Sequence, residues 1–189
     1  MPIELRKVEA LHQGYVTLMK ATLEAPDGTS FVREIEHHGH ACAVLPYDAE
    51  RRCVLLVSLP RAPVIWCDGP AELVEAVAGM LDGETPEACA RREALEEAGV
   101  RLTELEAVGR AYVSPGVSTE RLSLFLAPYA GADRVGPGGG LAEEHEHITV
   151  LEVPLSQLWD WVETQAIEDL KTLALILALR VRRPDLFAD

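Results

Sequence analysis

Three glutamates, Glu93, Glu96 and Glu97, are spaced to gather carboxylates on one side of a helix. Helical residues four apart share a face, about 6 Å apart along the axis. Glu93 and Glu97 therefore point the same way, and Glu96 joins the edge of that face. Like charges at this spacing destabilise an isolated helix. A divalent cation between them removes that cost, and clustered hard oxygen donors suit Mg2+ or Mn2+ rather than zinc. Taken alone, the pattern fits a solvated helix face better, with Arg91 and Arg92 as its salt-bridge partners.

The helix that must carry these groups has clear ends. Thr85 suits the N-cap, Pro86 the first helical position, and Glu84 and Glu87 complement the dipole. Gly99 stands where a left-handed C-terminal glycine closes a helix. The spacing predicts a helix over Pro86 to Ala98.

Upstream, residues 14–25 and 30–36 are rich in β-formers and flank the turn signal Ala25-Pro26-Asp27-Gly28. They read as a hairpin, which needs something to pack on, either the main domain or a second subunit. Residues 41–47 and 52–59 are apolar runs joined by Asp48-Ala49-Glu50-Arg51 and read as buried strands. Residues 61–69 read as loop, and residues 71–78 fit helix or strand. Strands follow over 102–113, 122–128 and 148–153, with a glycine-rich loop over 133–140 and closing helices over 154–164 and 168–182.

The chain has 189 residues, 31 Asp and Glu against 17 Lys and Arg, and a net charge of −14. That charge argues against a general nucleic-acid surface. It does not exclude an anionic substrate, because a carboxylate cluster attracts phosphate once cations are bound. No apolar run approaches the roughly 20 residues of a membrane span, and residues 1–7 lack the apolar core of a signal peptide. The expectation is a cytoplasmic protein without membrane or nucleic-acid partners. Cys42, Cys53, Cys67 and Cys89 show no zinc spacing and read as buried free thiols. His37, His38 and His40 read as exposed or core-edge histidines rather than metal ligands.

The wider pattern decides between the solvated face and the metal site. Gly79-Met80-Leu81-Asp82-Gly83-Glu84, followed by Arg92-Glu93-Ala94-Leu95-Glu96-Glu97-Ala98-Gly99-Val100, resembles the Nudix box. Glu84, Arg92, Glu93, Glu96, Glu97, Gly99 and Val100 match in register. Gly79 and Glu84 enclose four residues where the family has five, and a one-residue loop deletion costs little. The resemblance spans nearly the whole chain and looks like the ADP-ribose and GDP-mannose pyrophosphatase branch, on residues 14–36, Ser114-Pro115-Gly116, Glu120-Arg121 and the acidic residues 140–148.

The resemblance implies an α+β fold, a Nudix α/β/α sandwich with a mixed β-sheet. An N-terminal antiparallel hairpin region over residues 1–38 would serve dimerisation, and residues 39–189 would form the hydrolase domain. It implies a homodimer that uses Mg2+ or Mn2+ to hydrolyse the diphosphate bond of a nucleotide sugar. By the same resemblance, Glu93, Glu96 and Glu97, the Ala78 carbonyl and Glu146 are metal positions. Arg92 orients the carboxylates, as does Glu84 from the helix start, and Gly79 and Gly99 shape the motif. Glu96 also counts with Arg92 and Glu144 among the catalytic groups. Arg61, Glu75, Ser114 and Glu120 fall at substrate-binding positions. Glu144 matches the general base that takes a proton from attacking water, with Glu143 or Glu146 as alternatives. Gly138 to Gly140 would give that late loop freedom to swing. Lys171 reads as a surface charge. Two other readings remain. One is a nucleoside triphosphate sanitiser, disfavoured by the hairpin and the late acidic loop. The other is an inactive ligand sensor, disfavoured by the intact glutamates.

Overall fold

In the computed structural model, which describes residues 2–141 and 147–188, the N-terminal sheet has a strand more than the hairpin expected. β1 (Glu4–Gln13) pairs with β2 (Thr17–Glu24), and β2 pairs with β3 (Ser30–His37), all antiparallel. β1 evades a pattern reading because its register slips between Leu5 and Lys7 and again between Ala10 and His12. Each slip breaks the period-two alternation that marks a strand. β1 is an edge strand, and it leaves Leu5, Val8 and Leu11 exposed.

The chain folds as two units. The first joins Met1–Ala41 to Arg110–Leu122. Within it, a turn through Pro115 and Gly116 is closed by the N–H groups of Val117 and Ser118 donating to the Ser114 carbonyl. Glu36 and Ser118 form a parallel bridge.

The second unit joins Cys42–Gly109 to Ser123–Asp189. The main sheet has the order β10-β5-β4-β9-β8, from β4 (Ala41–Asp48), β5 (Cys53–Leu59), β8 (Glu106–Tyr112), β9 (Arg121–Pro128) and β10 (Thr149–Pro154). Two short strands add to it. β6 (Leu73–Glu75) pairs with β5, and β7 (Val77–Met80) pairs with β4. The ambiguous stretch 71–78 is thus largely strand, and the loop over 61–69 contains the short helix α1 (Ala62–Trp66).

β4 and β5 are buried at every residue, as strands covered on both faces must be. Alternate residues Cys42, Val44, Leu55 and Val57 share one core cluster with Cys89, Ala90, Ala94 and Ala98 of α2 (Pro86–Ala98). Those four side chains are small, so the α2 backbone lies close to the sheet and its glutamates reach β7. Two closing helices, α3 (Leu155–Glu163) and α4 (Leu170–Arg182), bury Leu155, Leu158, Leu175, Ile176 and Leu179. Each such side chain contributes roughly 1.5–3 kcal/mol when withdrawn from water. Asp169 caps α4, accepting from the Thr172 N–H at 2.9 Å.

Candidate metal and catalytic site

α2 begins and ends as its sequence requires. Thr85 Oγ1 accepts from the Ala88 N–H at 3.2 Å. Gly99, at φ +65°, closes the helix, and its N–H donates to the Leu95 carbonyl at 3.1 Å. A Cβ on Gly99 would strike the backbone of Gly136 and Gly138. Gly138, Gly139 and Gly140 all have positive φ. The N–H groups of Gly139 and Gly140 donate to the carbonyls of Glu97 and Glu96, at 2.8 and 3.1 Å. The glycine triplet therefore fastens to the end of α2, whereas the sequence suggested a freely swinging loop.

The shortened loop before α2 closes as a tight turn. The Glu84 N–H donates to the Leu81 carbonyl at 2.6 Å. Between them, Asp82 and Gly83 both have positive φ, at 42° and 88°. That is the pattern of a type I′ turn, for which Asp-Gly is a favoured pair. The missing residue is absorbed there, and Glu84 still reaches α2.

The carboxylates converge on β7. Glu97 is 3% exposed, and its Oε2 accepts from the Ala78 N–H at 3.2 Å. Gly79 faces Glu93 so closely that an added Cβ would overlap the carboxylate. Glu93 and Glu97 thus meet at the Ala78–Gly79 backbone. Arg92 binds the remaining acids. Its Nε donates to Glu84 at 3.0 Å, and its Nη1 lies 2.9 Å from both Glu93 and Glu96. Partial burial works against the guanidinium charge, but these carboxylates win and hold it above its ordinary range.

A second charged group centres on Glu75, three residues before Ala78. Glu75, 2% exposed, accepts from Arg61 Nε and Nη2 at 2.7 and 2.9 Å and pairs with Lys171, which also lies 3.1 Å from Asp169. Burial pushes the Glu75 carboxyl up, yet the Arg61 and Lys171 charges hold it below the ordinary carboxylate range. Glu75 thereby holds two cations, and Arg61 is braced rather than lone. Lys171, which the sequence suggested was a surface charge, is a partner of this buried acid. The signal was present, because a lysine in the first turn of a helix opposes the dipole and needs a carboxylate. Thr172 had no such signal. Its Oγ1 accepts from the Ala76 N–H at 2.6 Å.

Ser114 and Glu120 belong to the first unit. There, Glu120 Oε2 lies 3.7 Å from His38 Nε2, and His38 Nδ1 lies 2.7 Å from Glu36. His37 contacts Thr119, and His40 accepts from the Arg121 N–H. Each histidine thus has a partner in its own unit. Cys42, Cys53 and Cys89 are buried free thiols, but Cys67 is exposed. Glu143, Glu144 and Glu146 lie outside the described residues.

The donor set is chemically suited to a hard divalent cation, with carboxylates of Glu93 and Glu97 converging on one peptide unit. Among the described residues, no group of three or more His, Cys, Asp or Glu side chains is placed to hold a metal ion by itself.

The NUDIX domain family model matches residues 36–175. A GDP-mannose pyrophosphatase of Cronobacter sakazakii is 39% identical over 186 residues, covering 95% of this chain and 96% of its own. The GDP-mannose pyrophosphatase of Escherichia coli O1:K1 is 36% identical over 185 residues, with 95% of each chain covered. A crystal structure of an ADP compounds hydrolase superposes with a TM-score of 0.79 at 17% identity, covering 98% of this chain and 96% of the other.

Proposed function

The chain belongs to the NUDIX domain family, and from that membership we propose that it hydrolyses the diphosphate bond of a nucleoside diphosphate sugar of the GDP-mannose or ADP-ribose type. Products are a nucleoside monophosphate and a sugar phosphate. The observation that carries this reading is the meeting of Glu93 and Glu97 at the Ala78–Gly79 backbone. The relatives named GDP-mannose pyrophosphatase, aligned over nearly the full chain, support the substrate class.

Mg2+ or Mn2+ would be held by Glu93, Glu97 and the Ala78 carbonyl, with Glu146 as a further donor, and would supply charge neutralisation of the phosphates and acidification of a bound water. Arg92 keeps Glu93 and Glu96 oriented, so they need no rearrangement during the reaction. Glu144 takes the proton of the attacking water. The new P–O bond forms as the bridging P–O bond breaks, and the leaving phosphate departs with its electron pair. Arg61, held by Glu75, offers its guanidinium to substrate phosphate.

The enzyme works as a cytoplasmic homodimer. In support, edge strand β1 and the residue before it leave Ile3, Leu5, Val8 and Leu11 exposed, a surface that a second copy would cover. No helix among the described residues is long and apolar enough to cross a membrane.

The test is a panel of nucleotide sugars and nucleoside triphosphates with Mg2+, following monophosphate release by wild type and Glu97→Gln. Turnover of GDP-mannose or ADP-ribose that vanishes on chelation and in Glu97→Gln supports the reading. Turnover that survives both refutes it. Glu144→Gln should lower kcat by about 10²-fold or more while leaving substrate binding near wild type, and unchanged kcat would exclude Glu144 as the base. A stable monomer in light scattering would exclude the dimer.

A further inference from the structure

Cys42 is the second residue of the buried strand β4, and Cys89 lies on the sheet-facing side of α2. They are 47 positions apart in sequence, yet their sulfurs lie 3.1 Å apart in the core. A disulfide needs a separation of about 2.05 Å, so closing the pair moves the sulfurs by only about 1 Å. Neither of the other two cysteines is so placed. Cys53 Sγ lies 3.6 Å from Tyr129 Oη, and Cys67 is exposed.

Cys89 also supports the site. Its thiol faces the Met80 carbonyl at 3.3 Å and the Gly79 carbonyl at 3.6 Å, and Arg92 Nη2 lies 3.7 Å from the sulfur. Arg92, the cation beside this sulfur, is one-third exposed. We propose that Cys42 and Cys89 are an oxidative modification site, closed to an intramolecular disulfide by hydrogen peroxide, and that closure withdraws a donor from the Gly79–Met80 segment of β7, the strand that Glu93 and Glu97 meet.

The chemistry balances. The Cys89 thiolate attacks one peroxide oxygen, the O–O bond breaks, and the departing hydroxide leaves as water. Cys42 then gives up its proton and attacks the sulfenic sulfur of Cys89, expelling a second water. The two sulfurs lose two electrons and the peroxide gains them. The hydrogen bond from Cys42 and the Arg92 guanidinium 3.7 Å from the sulfur both favour the Cys89 thiolate, which makes Cys89 the attacking sulfur. The same bond, with burial, pushes Cys42 up.

The effect on activity rests on the pyrophosphatase reading, but bond formation does not, so the experiment reads both. The full chain carrying Cys67→Ser is treated with hydrogen peroxide under native conditions. Blocked thiols are then counted by intact mass, and the linked peptides are mapped. The expected result is a loss of about two mass units, a Cys42–Cys89 link, and reversal by dithiothreitol. Cys42→Ala in the same background should instead gain about 16 mass units per oxygen at Cys89. Cys42→Val repeats that arm should the alanine variant fold poorly. Activity should fall several-fold on oxidation and recover on reduction, and any loss in Cys42→Ala should follow the added oxygen at Cys89 with no loss of about two mass units. The site is refuted if both thiols survive peroxide that oxidises Cys67 in wild type, or if the link forms only after unfolding. A disulfide that leaves activity unchanged refutes the coupling to the strand. A chain inactive on every nucleotide sugar that still forms the link refutes the function and leaves the modification site standing.

Discussion

Gly79 lies so close to Glu93 that one methyl group on its α-carbon would overlap the carboxylate. The backbone of Gly79 is not in the left-handed region, so the requirement for glycine is one of space alone. The obstructed group is the far end of a flexible side chain, which can swing away without unfolding the helix. Gly79→Ala should therefore lower kcat by about 10²-fold, the usual effect of displacing a positioned group by about 1 Å. Its melting temperature should stay within a few degrees of wild type. Steady-state kinetics beside calorimetry checks both. A variant that unfolds, or one with full activity, contradicts this account of Gly79.

Arg92 distributes one guanidinium among Glu84, Glu93 and Glu96. A lysine keeps the charge but cannot reproduce the planar fork. Arg92→Lys should weaken metal binding and kcat by about 10–100-fold, the range found for supports of metal ligands. Glu84→Gln, which removes only one contact of the fork, should have a smaller effect in the same direction. Mn2+ titration followed by paramagnetic relaxation measures the affinity independently of turnover.

Glu75 carries a pH signature. Its carboxyl sits below the ordinary value of 4.5 in the folded protein. Its contribution to stability is therefore complete above that value and is lost as pH falls below 4.5 through the depressed folded value. Between pH 7 and 5 the wild-type contribution should be flat. In Arg61→Leu/Lys171→Met only burial remains, which raises the carboxyl. The double variant should be less stable at pH 7 by about 3–5 kcal/mol and should recover stability as pH is lowered towards 5. Thermal melts at the two pH values decide it, and parallel curves for the two proteins would count against the buried triad.

At the far end of α2, Gly99 has a left-handed backbone, and a side chain there meets Gly136 and Gly138. Gly99→Ala should cost about 1–3 kcal/mol, seen as a lower denaturant midpoint with an unchanged slope. Gly83, also at positive φ but with open space around it, should cost less when replaced by alanine. Equal losses at the two positions would mean that packing against the glycine loop contributes nothing.

Much of α2 was legible because its signals are local. Thr85, Pro86 and Gly99 mark its ends, and they need only the dihedral preferences of their own neighbours. The family resemblance added Arg92 and the glutamates, which the solvated-face alternative alone would have left as surface charge. What stayed hidden depends on distant partners. β1 was obscured by two register slips. Lys171 and Thr172 act on residues 96 positions upstream. The closeness of Cys42 and Cys89 follows from packing β4 under α2, which no spacing along the chain records.

Four of the five residues 75–79 are tied to different parts of the fold. The Glu75 side chain holds Arg61 and Lys171, the Ala76 N–H meets Thr172, the Ala78 N–H meets Glu97, and Gly79 makes room for Glu93. A single inserted or deleted residue there would exchange the two faces of the strand and break all four ties together. The turn at Asp82 and Gly83 has no such ties, and a Cβ on Gly83 meets nothing. Changes in chain length can therefore be tolerated in the turn after Met80 and not before Gly79, and the interval between Gly79 and Glu84 is where this chain is one residue shorter than the motif it resembles.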